Sequence, residues 1–285
     1  AVALTVMVAS FRASVTQWLD AVLPADLYVR TATSTSAADA VYLPAEMARA
    51  AAADGISTII ATPPHANGRY DNPAAAIRER VTRVNERLAE VGVSVTIAAG
   101  QEIRVHDDLL DAWHRGELLT LAGSDYALIE MLFSHIPKPM KELLHELSVL
   151  NLRPIIAHPE RNAEIARQPG RLAELIEHGA YAQMTTHSLL GGFGRQIRQA
   201  AWELCESGLI HLVSSDAHDT GRRGFCLSEA YEAIRARQGE PWEAYYKYNA
   251  RCVADNNPFG SRPAVSRSGD NALRRMISYL TGRRG

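Results

Sequence analysis

Most apolar runs in this chain stop at a residue that can bind a metal or handle a phosphate. Ile56–Thr62 leads to His65, Ser94–Gly100 to Glu102, Tyr126–Phe133 to His135, Pro154–Ala157 to His158, and His211–Ser215 to Asp216 and His218. Carboxylates and imidazoles are the donors that hold the divalent cations of phosphoester hydrolysis. Asp216-Ala-His218 places an oxygen and a nitrogen donor two residues apart, where strand alternation points both the same way. His158 opens the sequence His-Pro-Glu-Arg161, whose proline fixes the turn and leaves the imidazole at the rim. Glu102 is suited to bridging two cations that offset its burial cost, although a salt bridge to Arg104 would account for it equally. Arg223, in the glycine-flanked loop Gly221-Arg-Arg-Gly224, offers a planar fork to phosphate oxygens. Lys138 adds a second positive charge. Taken singly, each of these residues has a plainer structural explanation; taken together they point to a metal-dependent hydrolase.

The elements that would position them alternate. Helical stripes at Ile77, Val81, Val84 and Leu88, and at Leu143, Leu144, Leu147 and Leu150, each precede a new apolar run, which is the grammar of repeated βα units. Parallel strands would deliver the ligand residues to one rim, and no glycine-rich phosphate loop follows an early strand, so a closed or nearly closed barrel is expected over an open doubly wound sheet. There is no Gly-x-Ser-x-Gly elbow, no Cys-x5-Arg loop and no Walker sequence, which excludes the chemistry those motifs carry.

Composition is that of an ordinary globular protein: 285 residues, 47% hydrophobic and 22% charged, with a formal net charge of -2 that gives no general basic field for nucleic acid. Cys205, Cys226 and Cys252 are scattered, so neither a disulfide framework nor a thiolate zinc site is expected, and a cytoplasmic location follows. The apolar stretch Ala1–Ala9 is too short to span a bilayer, for which about 20 residues are needed. A helix is expected from Phe11 to Val22, a Ser/Thr/Ala-rich linker over Thr31–Ala40, and a basic tail with a short helix at Asn271–Leu280.

Several stretches carry a family likeness: Ala61-Thr-Pro-Pro-His-Ala-Asn-Gly-Arg-Tyr70, Gly100-Gln-Glu-Ile103, Ala157-His-Pro-Glu-Arg-Asn162, Ser188-Leu-Leu-Gly-Gly-Phe-Gly194, and Ser215-Asp-Ala-His218 followed by Arg223-Gly-Phe225. In this order they resemble the bacterial manganese-dependent protein-tyrosine phosphatases of the polymerase-and-histidinol-phosphatase (PHP) superfamily, found with capsule and exopolysaccharide genes. The resemblance implies a distorted βα barrel, a manganese cluster, and a phosphotyrosine substrate on the tail of a polysaccharide-synthesis tyrosine kinase. Carried over residue by residue, it makes Glu102, His135, His158, Asp216 and His218 metal ligands and Arg223 a phosphate-binding residue; Lys138 stands where the family commonly has arginine. The ligand of the loop after the second strand falls at Pro64, leaving His65 as a substitute through a shifted backbone. Nothing before Glu46 supplies the family's first His-x-His strand, so weak binding of at least one metal and impaired turnover are expected. Met7–Asp20 and Leu27–Arg30 instead resemble a fragment of an FtsX-like transporter permease. The expected organisation is therefore 1–40 as permease-like fragment and linker, 41–263 as PHP-type domain lacking its native first strand, and 264–285 as basic tail. The rival readings are another PHP-type phosphoesterase, such as a histidinol phosphatase, and a catalytically deficient relic that binds phosphotyrosine.

Overall fold

A computed structural model describes residues 45–65 and 72–265. Its framework is a set of parallel strands separated by helices. After helix α1 (Ala45–Ala53), strand β1 (Thr58–Ala61) pairs with β3 (Thr96–Ala99) across helix α2 (Ala74–Glu90). The pair then breaks and resumes as β2 (Pro64–His65) against β4 (Glu102–Arg104). Two residues account for the break. Pro63 has no N–H to give to a ladder, and its carbonyl accepts from Glu102 N–H at 3.2 Å where pairing resumes. Gly100 has no space for a side chain, since an added Cβ would lie 2.9 Å from Ile60 Cγ2.

Beyond β4 come helix α3 (Leu109–His114), β5 (Tyr126–Glu130), α4 (Met140–Val149), β6 (Arg153–Ala157), α5 (Ala163–Arg167), α6 (Gly170–Glu177), β7 (Tyr181–Thr185), α7 (Thr186–Leu190), α8 (Arg195–Glu206), β8 (Leu212–Ser214), α9 (Leu227–Gln238) and α10 (Glu240–Asp255). The larger sheet runs β2-β4-β5-β6-β7-β8, every neighbour parallel. Among the described residues its end strands β2 and β8 are not paired with one another. The barrel expected from the sequence is thus a distorted one, split into a six-stranded and a two-stranded part.

Both faces of this sheet are covered, which is why its strands read as unbroken apolar runs. Register puts Ile103, Ile129, Ile156 and Ala182 side by side on the face packed by helices, with Leu144, Leu147, Leu172 and Trp202. Leu128 and Ile155 face the other way, with Tyr126, Ala157, Leu212 and Val253 of α10. The expected stripes on α2 and α4 are the buried ones: Ile77 and Leu88 are interior with Val81 and Val84 packed beside them, and Leu143, Leu144 and Leu147 are interior with Leu150 at their edge. At the N-terminal ends of the strands, Phe259 stacks on Tyr126 at 4.8 Å and meets Tyr181 edge-on at 4.5 Å, stopping that end with aromatic rings. Access to the inner face is left to the opposite rim. The expected helices at 11–22 and 271–280 lie outside the described residues. No helix among the described residues is long and apolar enough to cross a membrane.

His211, just before β8, is held neutral by this packing. Its Nδ1 accepts the Ala182 N–H at 3.1 Å, which a protonated ring could not do, and burial pushes its pKa down to about 4 with Arg262 adding to the effect. Below the ordinary imidazole value of about 6.5 the unfolded chain takes up a proton that the folded chain refuses, so stability falls as pH drops from about 6.5 towards 4 and is level above. His211→Gln is expected to remove about 2 kcal/mol of the stability difference between pH 7.5 and pH 4.5, measured by urea unfolding; an unchanged difference would exclude His211 as its source.

Candidate active site

Three neighbouring strands contribute one residue each to a buried cluster. Glu102 begins β4, Glu130 ends β5, and His158 follows β6; one ligand atom from each lies within 4.8 Å of the others. His158 Nε2 is 2.7 Å from Glu102 Oε1 and 3.8 Å from Glu130 Oε1. The backbone at His158 is left-handed, with φ of 33°, a conformation that disfavours a side chain but turns the imidazole back over the strand ends. Burial and the negative charge of Glu102 raise the Glu130 pKa. Burial works to lower His158, but the hydrogen bond and charge of Glu102 outweigh it and the net shift is upward. Two carboxylates and an imidazole at this spacing form a set that shares protons in the absence of a cation and suits a divalent one when it replaces them.

A second group converges on Asp216, just beyond β8. Its largely buried carboxylate accepts from Arg161 Nη2 and from Arg223 Nη2, the latter at 2.7 Å. Burial favours the neutral acid here, yet the charges of Arg161, His218 and Arg223 prevail and the carboxyl is held below its usual value. The loop after Asp216 is built to return Arg223: His218 N–H donates to Arg223 C=O at 2.7 Å, and Asp219 Oδ1 accepts from the N–H groups of Gly221 and Arg223. Phe193, between α7 and α8, lies under both guanidinium groups, at 4.5 Å from Arg161 Cζ and 5.4 Å from Arg223 Cζ. Arg161 also donates to Thr185 Oγ1. Thr185 and Ser188 in turn donate to the buried Glu160, which ties the His158–Arg161 turn to the end of β7. Both Arg161 and Arg223 keep a buried Nε–H with no acceptor, and such a donor is costly to leave unmatched.

The structure brings Glu102 and His158 together and sets Asp216, His218 and Arg223 on the adjoining loop. His218 is half exposed, with Nδ1 on the Asp216 carbonyl at 2.9 Å, so its Nε2 is the free ring position. Other sequence candidates stand apart. Pro64, not His65, pairs in register with Glu102, so alternation sends His65 to the face of Ile103, where its Nδ1 accepts from Asn72 N–H. His135 is exposed on the loop after β5 and bonded to Ser134, and Lys138 is exposed two residues past Ile136. Arg104 pairs with Glu130 at 3.0 Å and not with Glu102. Sequence reasoning missed Glu130 and Arg161. Glu130 was signalled by an acidic residue inside an apolar strand, and Arg161 by its place three residues after His158.

Residues 37–254 match the family model for capsular polysaccharide synthesis proteins, CpsB/CapC. The chain belongs to the CpsB/CapC family. Among its relatives are the tyrosine-protein phosphatase YwqE of Bacillus subtilis, 39% identical over 218 residues that cover 76% of this chain and 86% of YwqE. The tyrosine-protein phosphatase CpsB of Streptococcus pneumoniae is 30% identical over 190 residues, covering 65% of this chain and 78% of that protein. A solved structure from work on YwqE of B. subtilis and CpsB of S. pneumoniae, described as unique metal-dependent tyrosine phosphatases, superposes with a TM-score of 0.76 at 38% identity, covering 81% of this chain and 94% of the other. The fold of a CpsB/CapC protein and the clustered donors therefore agree.

If Glu102, Glu130 and His158 hold a cation together, Glu130→Gln is expected to weaken manganese binding at least about tenfold in calorimetry, with Lys138→Ala unchanged. Affinity should also fall as pH is lowered, because the raised pKa values of Glu130 and His158 mean that the cation must displace protons. Equal affinity in wild type and Glu130→Gln would remove Glu130 from the ligand set.

Proposed function

We propose that this chain is a metal-dependent protein-tyrosine phosphatase that uses manganese. The observation that supports this most is the meeting of a carboxylate–imidazole cluster with two arginines that converge on Asp216 and retain unmatched donors. Relatives named as tyrosine-protein phosphatases supply the substrate class. In this reading Glu102, Glu130 and His158 hold one cation, and Asp216 and His218 contribute donors to the rest of the metal site.

A divalent cation bound there supplies Lewis acidity towards water and the phosphoryl group. The chain's own residues do the remainder. Arg161 and Arg223 bind non-bridging phosphate oxygens in the plane of their guanidinium groups and counter the charge of the transition state. Phe193 and Thr185 hold Arg161 in place, so little reorganisation is needed when the phosphate arrives. The Asp219-centred loop does the same for Arg223. The proposed partner is a phosphotyrosine protein, the tail of a polysaccharide-synthesis tyrosine kinase, encountered in the cytoplasm. Residues 1–44, which lie outside the described residues, contain no histidine and so no His-x-His pair; in this reading at least one metal binds weakly and turnover is impaired.

Phosphate release from a phosphotyrosine peptide is expected to require manganese, to stop on chelation, and to fall by about a hundredfold in kcat/KM for Asp216→Ala and for Arg223→Ala. Arg223→Lys should recover only part of the loss, since charge survives and the planar fork does not. Equal turnover with and without metal would defeat the proposal.

A further inference from the structure

The segment that follows Glu130 is held by its backbone and open at its side chains. Leu132 and Phe133 are 42% and 50% exposed, and they are the only adjacent pair of exposed large hydrophobic residues among those described. Apolar groups at such exposure on a mobile loop would mean little. Here each carbonyl is bound: Met131 C=O accepts from Arg104 Nη1 at 3.1 Å, Leu132 C=O from Asn162 Nδ2 at 2.7 Å, and Phe133 C=O from Ala163 N–H at 2.7 Å. Ile136 N–H then donates to Glu164 at 3.0 Å. The partners Asn162, Ala163 and Glu164 directly continue the turn that carries His158 and Arg161. The exposed pair and the polar site thus form one rigid piece, with hydrogen bonds holding two apolar side chains in water.

The phenyl ring of Phe133 stands 5.7 Å from the His158 ring and 5.9 Å from Arg104 Cζ, at the edge of the carboxylate–imidazole cluster. Phe193, the other ring of the site, already lies against Arg161 and Arg223, whereas half of Phe133 is uncovered. Resting on the phosphatase reading above, we infer that Leu132 and Phe133 form the shelf on which the aromatic ring of the substrate lies, so that these two residues select aryl over alkyl phosphates. The occupant is a phenyl ring because the shelf is apolar, half of it an aromatic face, and stands at the edge of the carboxylate–imidazole cluster, and because aromatic pairs favour offset or tilted contact. An alkyl phosphate would satisfy the same arginines and leave the shelf wet.

The test separates ring recognition from phosphate recognition. Phenylphosphonate and methylphosphonate are titrated calorimetrically into the full, manganese-loaded chain. Wild type is expected to favour phenylphosphonate by about tenfold, the size of one aromatic contact. Phe133→Ala should abolish that preference with methylphosphonate affinity unchanged, and Phe133→Tyr should keep it. In turnover, Phe133→Ala should raise KM for a phosphotyrosine peptide about tenfold with kcat preserved, and leave a phosphoserine peptide unaffected. Leu132→Ala, whose side chain is also exposed, gives a second and smaller loss if Phe133→Ala does not fold. A phenyl preference that survives both substitutions would overturn the shelf and leave the phosphatase reading intact. Failure of both phosphonates to bind wild type would remove the phosphate site itself, and the shelf with it.

Discussion

A buried carboxylate and a partly buried one within reach of one imidazole are an unstable arrangement unless positive charge is supplied, and the rim of this barrel is organised around that constraint. Glu102 and Glu130 come from adjacent strands and cannot both ionise at low cost in a buried setting. His158 bonds Glu102, and Arg104 pairs with Glu130. What these offer is partial: Glu130 remains shifted towards its neutral form. The divalent cation proposed for this cluster would resolve the conflict more fully.

Geometry enforces this closeness through register. Arg104 and Glu130 are level with one another, and Glu102 is level with Leu128, so all of them face the interior while Ile103 and Ile129 face the helices. The left-handed residues His158 and Asp216 then bend the chain inward just past β6 and β8. Those two conformations cost of the order of 1 to 3 kcal/mol each, which the ion pairs of Asp216 and the bond of His158 to Glu102 help to sustain. Aromatic packing of Phe259 at the far end leaves the rim as the open side, and the rim is where the charged residues gather.

The strands were legible in the sequence because burial on both faces makes them continuous apolar runs, and the stripes on α2 and α4 because one helical face is interior. Glu102, His158, Asp216 and Arg223 could be singled out because each follows such a run or sits in a loop with a distinct turn chemistry. The limits were physical too. Where a side chain points depends on register, and a single position separates Pro64, level with Glu102, from His65, which faces the helices. Nothing local reveals which of two adjacent residues is level with a residue from another strand. Glu130 escaped notice for a related reason: an acidic residue inside an apolar run is a signal, but what it meets depends on its neighbours across the sheet. Arg161 stands only three residues after His158, but the turn sends the two side chains to different partners, Asp216 and Glu102, and only the fold shows which.

Asp216 occupies the guanidinium groups of Arg161 and Arg223. In the proposed site Asp216 is also a metal donor, so these arginines would be freed for an anion chiefly where a cation holds that carboxylate, and apparent anion affinity would be the intrinsic one discounted by the fraction of molecules in that state. One carboxylate would then make the readiness of two arginines depend on whether the neighbouring cluster is charged with metal.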